Sequence, residues 1–103
     1  MTFGFPAYYT EHFETDANID LRTAVRETFA SLSWNVKEET VISIMAATSL
    51  GMRSFGETVE VHFISPNSIS VKSQCALPSQ CFDWGKNKAN VSAFLTSLKK
   101  RID

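Results

Sequence analysis

The chain has 103 residues, with ten lysines and arginines against eleven aspartates and glutamates, a formal net charge of −1, and 44% hydrophobic and 20% charged residues. That length holds one domain, residues 1–103, and the composition excludes disordered, collagen-like and coiled-coil chains. The near-neutral balance also argues against a protein that binds by neutralising phosphates, which needs a clear excess of Lys and Arg on one surface.

In chain order, Ala7 to Phe13 has the aromatic content of an edge strand. Between Ala17 and Leu32 the apolar residues Leu21, Val25, Phe29 and Leu32 recur at helical spacing, with Arg22, Arg26 and Glu27 off that stripe. This predicts an amphipathic helix, with Asp16 or Asn18 placed to cap its free N–H groups. Trp34 and Val36 alternate with Asn35 and Lys37, and Thr40 to Thr48 is apolar and β-branched, so two strands are predicted with a tight turn at Glu38-Glu39. Ser49 to Gly56 reads as a loop. Val59, Val61 and Phe63 then alternate with Thr58, Glu60 and His62, and after the Pro66-Asn67 turn Ile69, Val71, Ser73 and Cys75 keep the same period, a hairpin. The chain closes on a predicted helix over Asn90 to Arg101, where Val91, Phe94, Leu95 and Leu98 share a stripe and Lys99-Lys100-Arg101 complement the negative end of the helix dipole.

The order β-α-β-β-β-β-α makes an α+β domain in which a four- to five-stranded antiparallel sheet is packed on one face by both helices. That order resembles a single TATA-box-binding-protein-like repeat, an architecture that also serves proteins unrelated to DNA. The segment Phe82-Asp83-Trp84-Gly85-Lys86-Asn87, followed by Asn90, Val91 and Phe94, resembles small bacterial domains of unassigned function in which an Asp-x-Gly-x-Asn turn leads into the last helix. Trp34 after a Leu-Ser step and Phe55-Gly56-Glu57 opening a strand are similar to the same domains, so the resemblance covers roughly residues 20 to 98. It implies the fold and assigns no role to any residue.

Cys75 and Cys81 are too few for a disulfide framework, and free thiols in a reducing compartment are the expectation. The N-terminal residues lack a basic leader pattern and no apolar run is long enough to span a bilayer, which points to a cytoplasmic protein with no membrane association. His12, His62, Cys75 and Cys81 lack the short spacing of a metal site, and no phosphate loop, nucleophile elbow or His-x-x-x-His pair occurs. No catalytic residue, metal or cofactor is assigned, and the chain leans away from being an enzyme.

Two functional readings remain. Placing Val59, Val61, Phe63, Ile69 and Val71 under the helices leaves a mixed, mostly polar outer sheet face with one lysine and one glutamate on that hairpin. This lacks the basic rim and apolar wedges of a DNA-bending sheet. The Val41 to Ala47 strand offers apolar groups in both phases and needs cover on both, by a second copy, a partner protein or a small apolar ligand. The favoured reading is therefore a non-enzymatic binding module, with an interaction surface at Val41, Ser43, Met45, His62 and Lys72. The alternative is a small-anion or metabolite site, possible for an enzyme too, between Arg53 and the Asp83 to Asn90 turn, where Asp83, Lys86, Asn87 and Asn90 surround a helix start.

Overall fold

In the computed structural model, which describes residues 8–48, 57–75 and 85–102, period-two alternation sorts side chains onto the two faces of a single sheet. The elements are β1 (Tyr8–Glu14), α1 (Leu21–Ser31), β2 (Asn35–Glu39), β3 (Ser43–Ala47), β4 (Glu57–Ser65), β5 (Ser68–Cys75) and α2 (Lys86–Ile102). The five strands are antiparallel in the order β1-β5-β4-β3-β2. Ile44, Ala46, Val59, Val61, Ile69 and Val71 meet Leu21, Val25 and Phe29 of α1 and Val91, Phe94 and Leu98 of α2 in one core. The helices lie side by side, α2 over β1, β5 and β4 and α1 toward β2. The expected element order and sheet are thus present, with five strands.

Several boundaries differ from the sequence expectations. Helix α1 starts at Leu21 because Asp20, rather than Asp16 or Asn18, is its cap: the Asp20 carboxylate accepts from the Arg22 N–H at 3.1 Å and from the Thr23 hydroxyl at 2.8 Å. The turn expected at Glu38-Glu39 falls instead at Thr40 to Ile42, since both glutamates remain in β2 beyond an irregularity between Val36 and Glu38. There the Thr40 hydroxyl accepts from the N–H groups of Ile42 (3.2 Å) and Ser43 (3.1 Å), closing the turn one residue later than the acidic pair. Helix α2 begins at Lys86, a turn earlier than expected, after Gly85 at φ 81°. The expected loop over Ser49 to Gly56 lies outside the described residues.

Helix α1 ends in a Schellman arrangement. The Ser33 N–H donates to the Ala30 carbonyl and the Trp34 N–H to the Phe29 carbonyl, both at 3.0 Å, while the Phe29 and Trp34 rings sit 6.1 Å apart. Ser33 takes φ 61°, a left-handed conformation in which its Cβ is crowded. Ser33→Gly is therefore expected to raise the unfolding free energy by about 1 kcal/mol, read by urea denaturation; an unchanged or lower midpoint would show that the left-handed position carries no strain.

Candidate functional site

With α1 and α2 on the same side, cross-strand register defines the rows of the opposite face. One row runs Tyr8, Gln74, Thr58, Ala47 and Asn35; the next Thr10, Lys72, Glu60, Met45 and Glu38; the third His12, Ser70, His62 and Ser43. Both described helices pack on the other face. Tyr8, Thr10, His12 and His62 are exposed, and Met45, Glu60, Ser70 and Lys72 half-buried. Neighbouring groups hold one another: the Lys72 ammonium sits 4.9 Å from the centre of the Tyr8 ring, and His62 Nε2 lies 3.2 Å from Glu60 Oε1. Ser43 is buried despite its outward phase, since its hydroxyl lies 3.0 Å from that of Thr40.

At one end the face runs into an apolar corner. Val41 is 88% exposed, Ile42 60% and Ile64 57%, high values for large aliphatic side chains, with Ile42 opposite Phe63 and so on the helix side of the turn. Val41 and Ile42 lie in the β2–β3 connection, so the doubly apolar strand expected from the sequence is shorter than supposed: Ile44 and Ala46 face the core, and Ser43, Met45 and Ala47 face outward. The connection is fixed from beneath. Arg22 donates to the Thr40 carbonyl at 3.0 Å and to the Val41 carbonyl, and the Phe63 N–H donates to the Ile42 carbonyl at 2.8 Å.

The arginine that holds this connection also pairs with Glu39, at 2.9 Å, and Glu39 accepts from Arg26 as well. Glu39 thus lies in β2 rather than in the expected turn, held by two arginines one helical turn apart on α1. Hydrogen bonds from Arg26 foremost, and from Arg22, hold its carboxyl below the ordinary value of 4.5. A depressed folded-state pKa stabilises the fold above the unfolded-state value and stops doing so as pH falls through the folded one. Glu39→Gln is accordingly expected to lower the melting temperature at neutral pH, with the gap to wild type closing once the pH drops below the carboxylate range. A gap that persists in acid would assign the effect to packing.

The residues of the alternative site are arranged differently. Arg53 and Asp83 lie outside the described residues. Lys86 is exposed in the first turn of α2, whereas Asn87 is fully buried and Asn90 is 7% exposed. The Ser73 hydroxyl donates to Asn87 Oδ1 at 2.8 Å, and Asn90 Nδ2 donates to Ser73 Oγ at 3.2 Å and to Glu57 Oε1 at 2.9 Å. The Thr48 hydroxyl reaches the same Glu57 oxygen at 3.2 Å. These contacts form a buried network that ties the start of α2 to β4 and β5. The signal for it lay in two periods: the stripe Val91, Phe94, Leu98 extended one turn back lands on Asn87, and Ser73 shares the buried phase of Ile69 and Val71.

Asn87 Nδ2 also lies 3.7 Å from Cys75 Sγ, and Cys75 is disulfide-bonded. This corrects the expectation of a free thiol, because a single pair suffices for one bond whether or not it forms a framework. The chain's one other cysteine, Cys81, lies outside the described residues. Among the described residues no group of three or more His, Cys, Asp or Glu side chains is gathered to hold a metal ion, and no helix is long and apolar enough to cross a membrane. The chain matches no family model, no curated protein and no solved structure.

Proposed function

We propose that the chain is a non-enzymatic binding module whose open sheet face docks a protein partner. The observation that supports it is the asymmetry of the sheet: one face is closed by two helices, and the other presents ordered rows of side chains running into an apolar corner that Arg22 holds in place. Prior ordering of that corner reduces the entropy lost on docking. Met45 and the exposed Ile64 supply apolar contact, and Lys72, Glu60 and His62 supply charged and hydrogen-bonding groups around it. Glu14, Glu38 and Glu60 outnumber Lys72 among the fixed charges on the face, which disfavours a polyanion such as nucleic acid.

The test is a photo-crosslinking residue at Lys72, compared with one at Thr96 on the exposed side of α2. A discrete adduct from Lys72 that Met45→Glu abolishes is expected. Equal labelling from both positions, or none from Lys72, would remove the reading.

The disulfide at Cys75 favours an oxidising compartment over the cytoplasm expected from the absent leader pattern and membrane span. Protein quenched with acid in its cells of origin is expected to show Cys75 protected from alkylation until reduced; immediate alkylation would return it to a reducing compartment.

A further inference from the structure

We propose that two copies of this chain join along β1, antiparallel about a two-fold axis at Glu11, to make one continuous sheet. The two edges of the sheet are unlike. The β2 edge is five residues long, irregular between Val36 and Glu38 and charged at Lys37, Glu38 and Glu39, features that discourage pairing. The β1 edge runs seven residues, bonded to β5 on one side, with a register free of shifts.

The sequence of β1 complements itself. Pairing about Glu11 sets Tyr9 opposite Phe13, Thr10 opposite His12 and Tyr8 opposite Glu14. Opposed residues in an antiparallel pair share a face, and the burial alternation agrees: Tyr9, Glu11 and Phe13 are half-buried on the helix side, and Tyr8, Thr10, His12 and Glu14 are exposed on the other. Both partly covered rings would thus meet an aromatic partner across the edge, extending the core from one copy into the next.

Only the central pair, Glu11 against Glu11, brings like charges together, and the fold places cations beside it. Lys99 Nζ lies 5.9 Å from the centre of the Phe13 ring, on the face that carries Glu11, and Lys100 and Arg101 follow it in the last turn of α2. β1 itself has two glutamates and no lysine or arginine. Each Lys99 therefore flanks the two-fold axis within reach of the other copy's Glu11, so an acidic strand meets a basic helix end twice in one closed interface.

Sedimentation equilibrium of the full chain over a wide concentration range tests this. The expected result is a mass of twice 11.5 kDa at high concentration. Lys99→Glu should weaken self-association by about tenfold or more, as loss of two equivalent charge contacts implies. Adding Glu11→Lys to Lys99→Glu should restore it, and circular dichroism should show each variant folded. A monomer at every concentration overturns the proposal, as does a dimer indifferent to Lys99→Glu. Met45→Glu on the open face leaves the dimer intact, which keeps this outcome separate from that of the docking reading.

Discussion

Val61→Asn is expected to unfold most of the protein at a temperature where His62→Asn leaves it untouched, although the two residues are neighbours in β4. Val61 has no exposed surface and lies between Ile44 and Val71 in register, both equally buried. An amide there loses the burial of the valine side chain, about 2 kcal/mol, and strands polar groups against the helices for about 2 kcal/mol more. Against a net stability of about 5–15 kcal/mol that is a large fraction, and it corresponds to a fall of about 20 °C in melting temperature. His62 points to the open face, where a substitution shifts stability by about 0.5 kcal/mol at most. Denaturation curves for the two variants check both halves. Comparable losses at the two positions would mean that the outer face is covered.

Asn87→Ala is the second large effect. Asn87 is fully buried, accepts from Ser73 at 2.8 Å and sits against Cys75. Alanine leaves a small cavity and deprives the Ser73 hydroxyl of its acceptor, a loss of about 3 kcal/mol. The double variant Asn87→Ala with Ser73→Ala removes donor and acceptor together, and is expected to be more stable than the sum of the single losses by about 1 kcal/mol or more. Strict additivity would contradict a shared network. Because the network ties α2 to β4 and β5, the single variant should also raise amide exchange at the start of α2 before that of the central strands.

The fold was legible wherever one periodicity dominated. Val59 to Phe63 and Ile69 to Cys75 alternate without interruption, so their inward and outward sets could be assigned residue by residue, and the structure has them on those faces. The two helices were legible as stripes, while their starts were not, because several capping residues crowd each one: Asp16, Asn18 and Asp20 precede α1, and only Asp20 combines with Thr23 and the Arg22 N–H. The β2–β3 turn moved because Glu39 is held by Arg22 and Arg26, side chains distant in sequence whose contact no local pattern records. The same limit hid the corner at Val41 and Ile42, which read as strand by composition and are exposed because the Thr40 hydroxyl and Arg22 capture the backbone first. Of the candidate surface residues, His62 and Lys72 follow from alternation alone and lie away from the helices, whereas the strand of Met45 is apolar in both phases, and Asn87 and Asn90 were polar letters beside a glycine until the packing of α2 on Ser73 gave them partners.

On the proposed function, a partner covers the open face of the sheet. Hydroxyl-radical footprinting, performed in the cells that make the protein and again on the purified chain, tests it residue by residue. Met45, His62 and Ile64 are expected to be oxidised readily in the purified protein and protected in cells, while Lys88 and Thr96 on the exposed side of α2 react equally in both. Equal oxidation of Met45, His62 and Ile64 in both settings would contradict it.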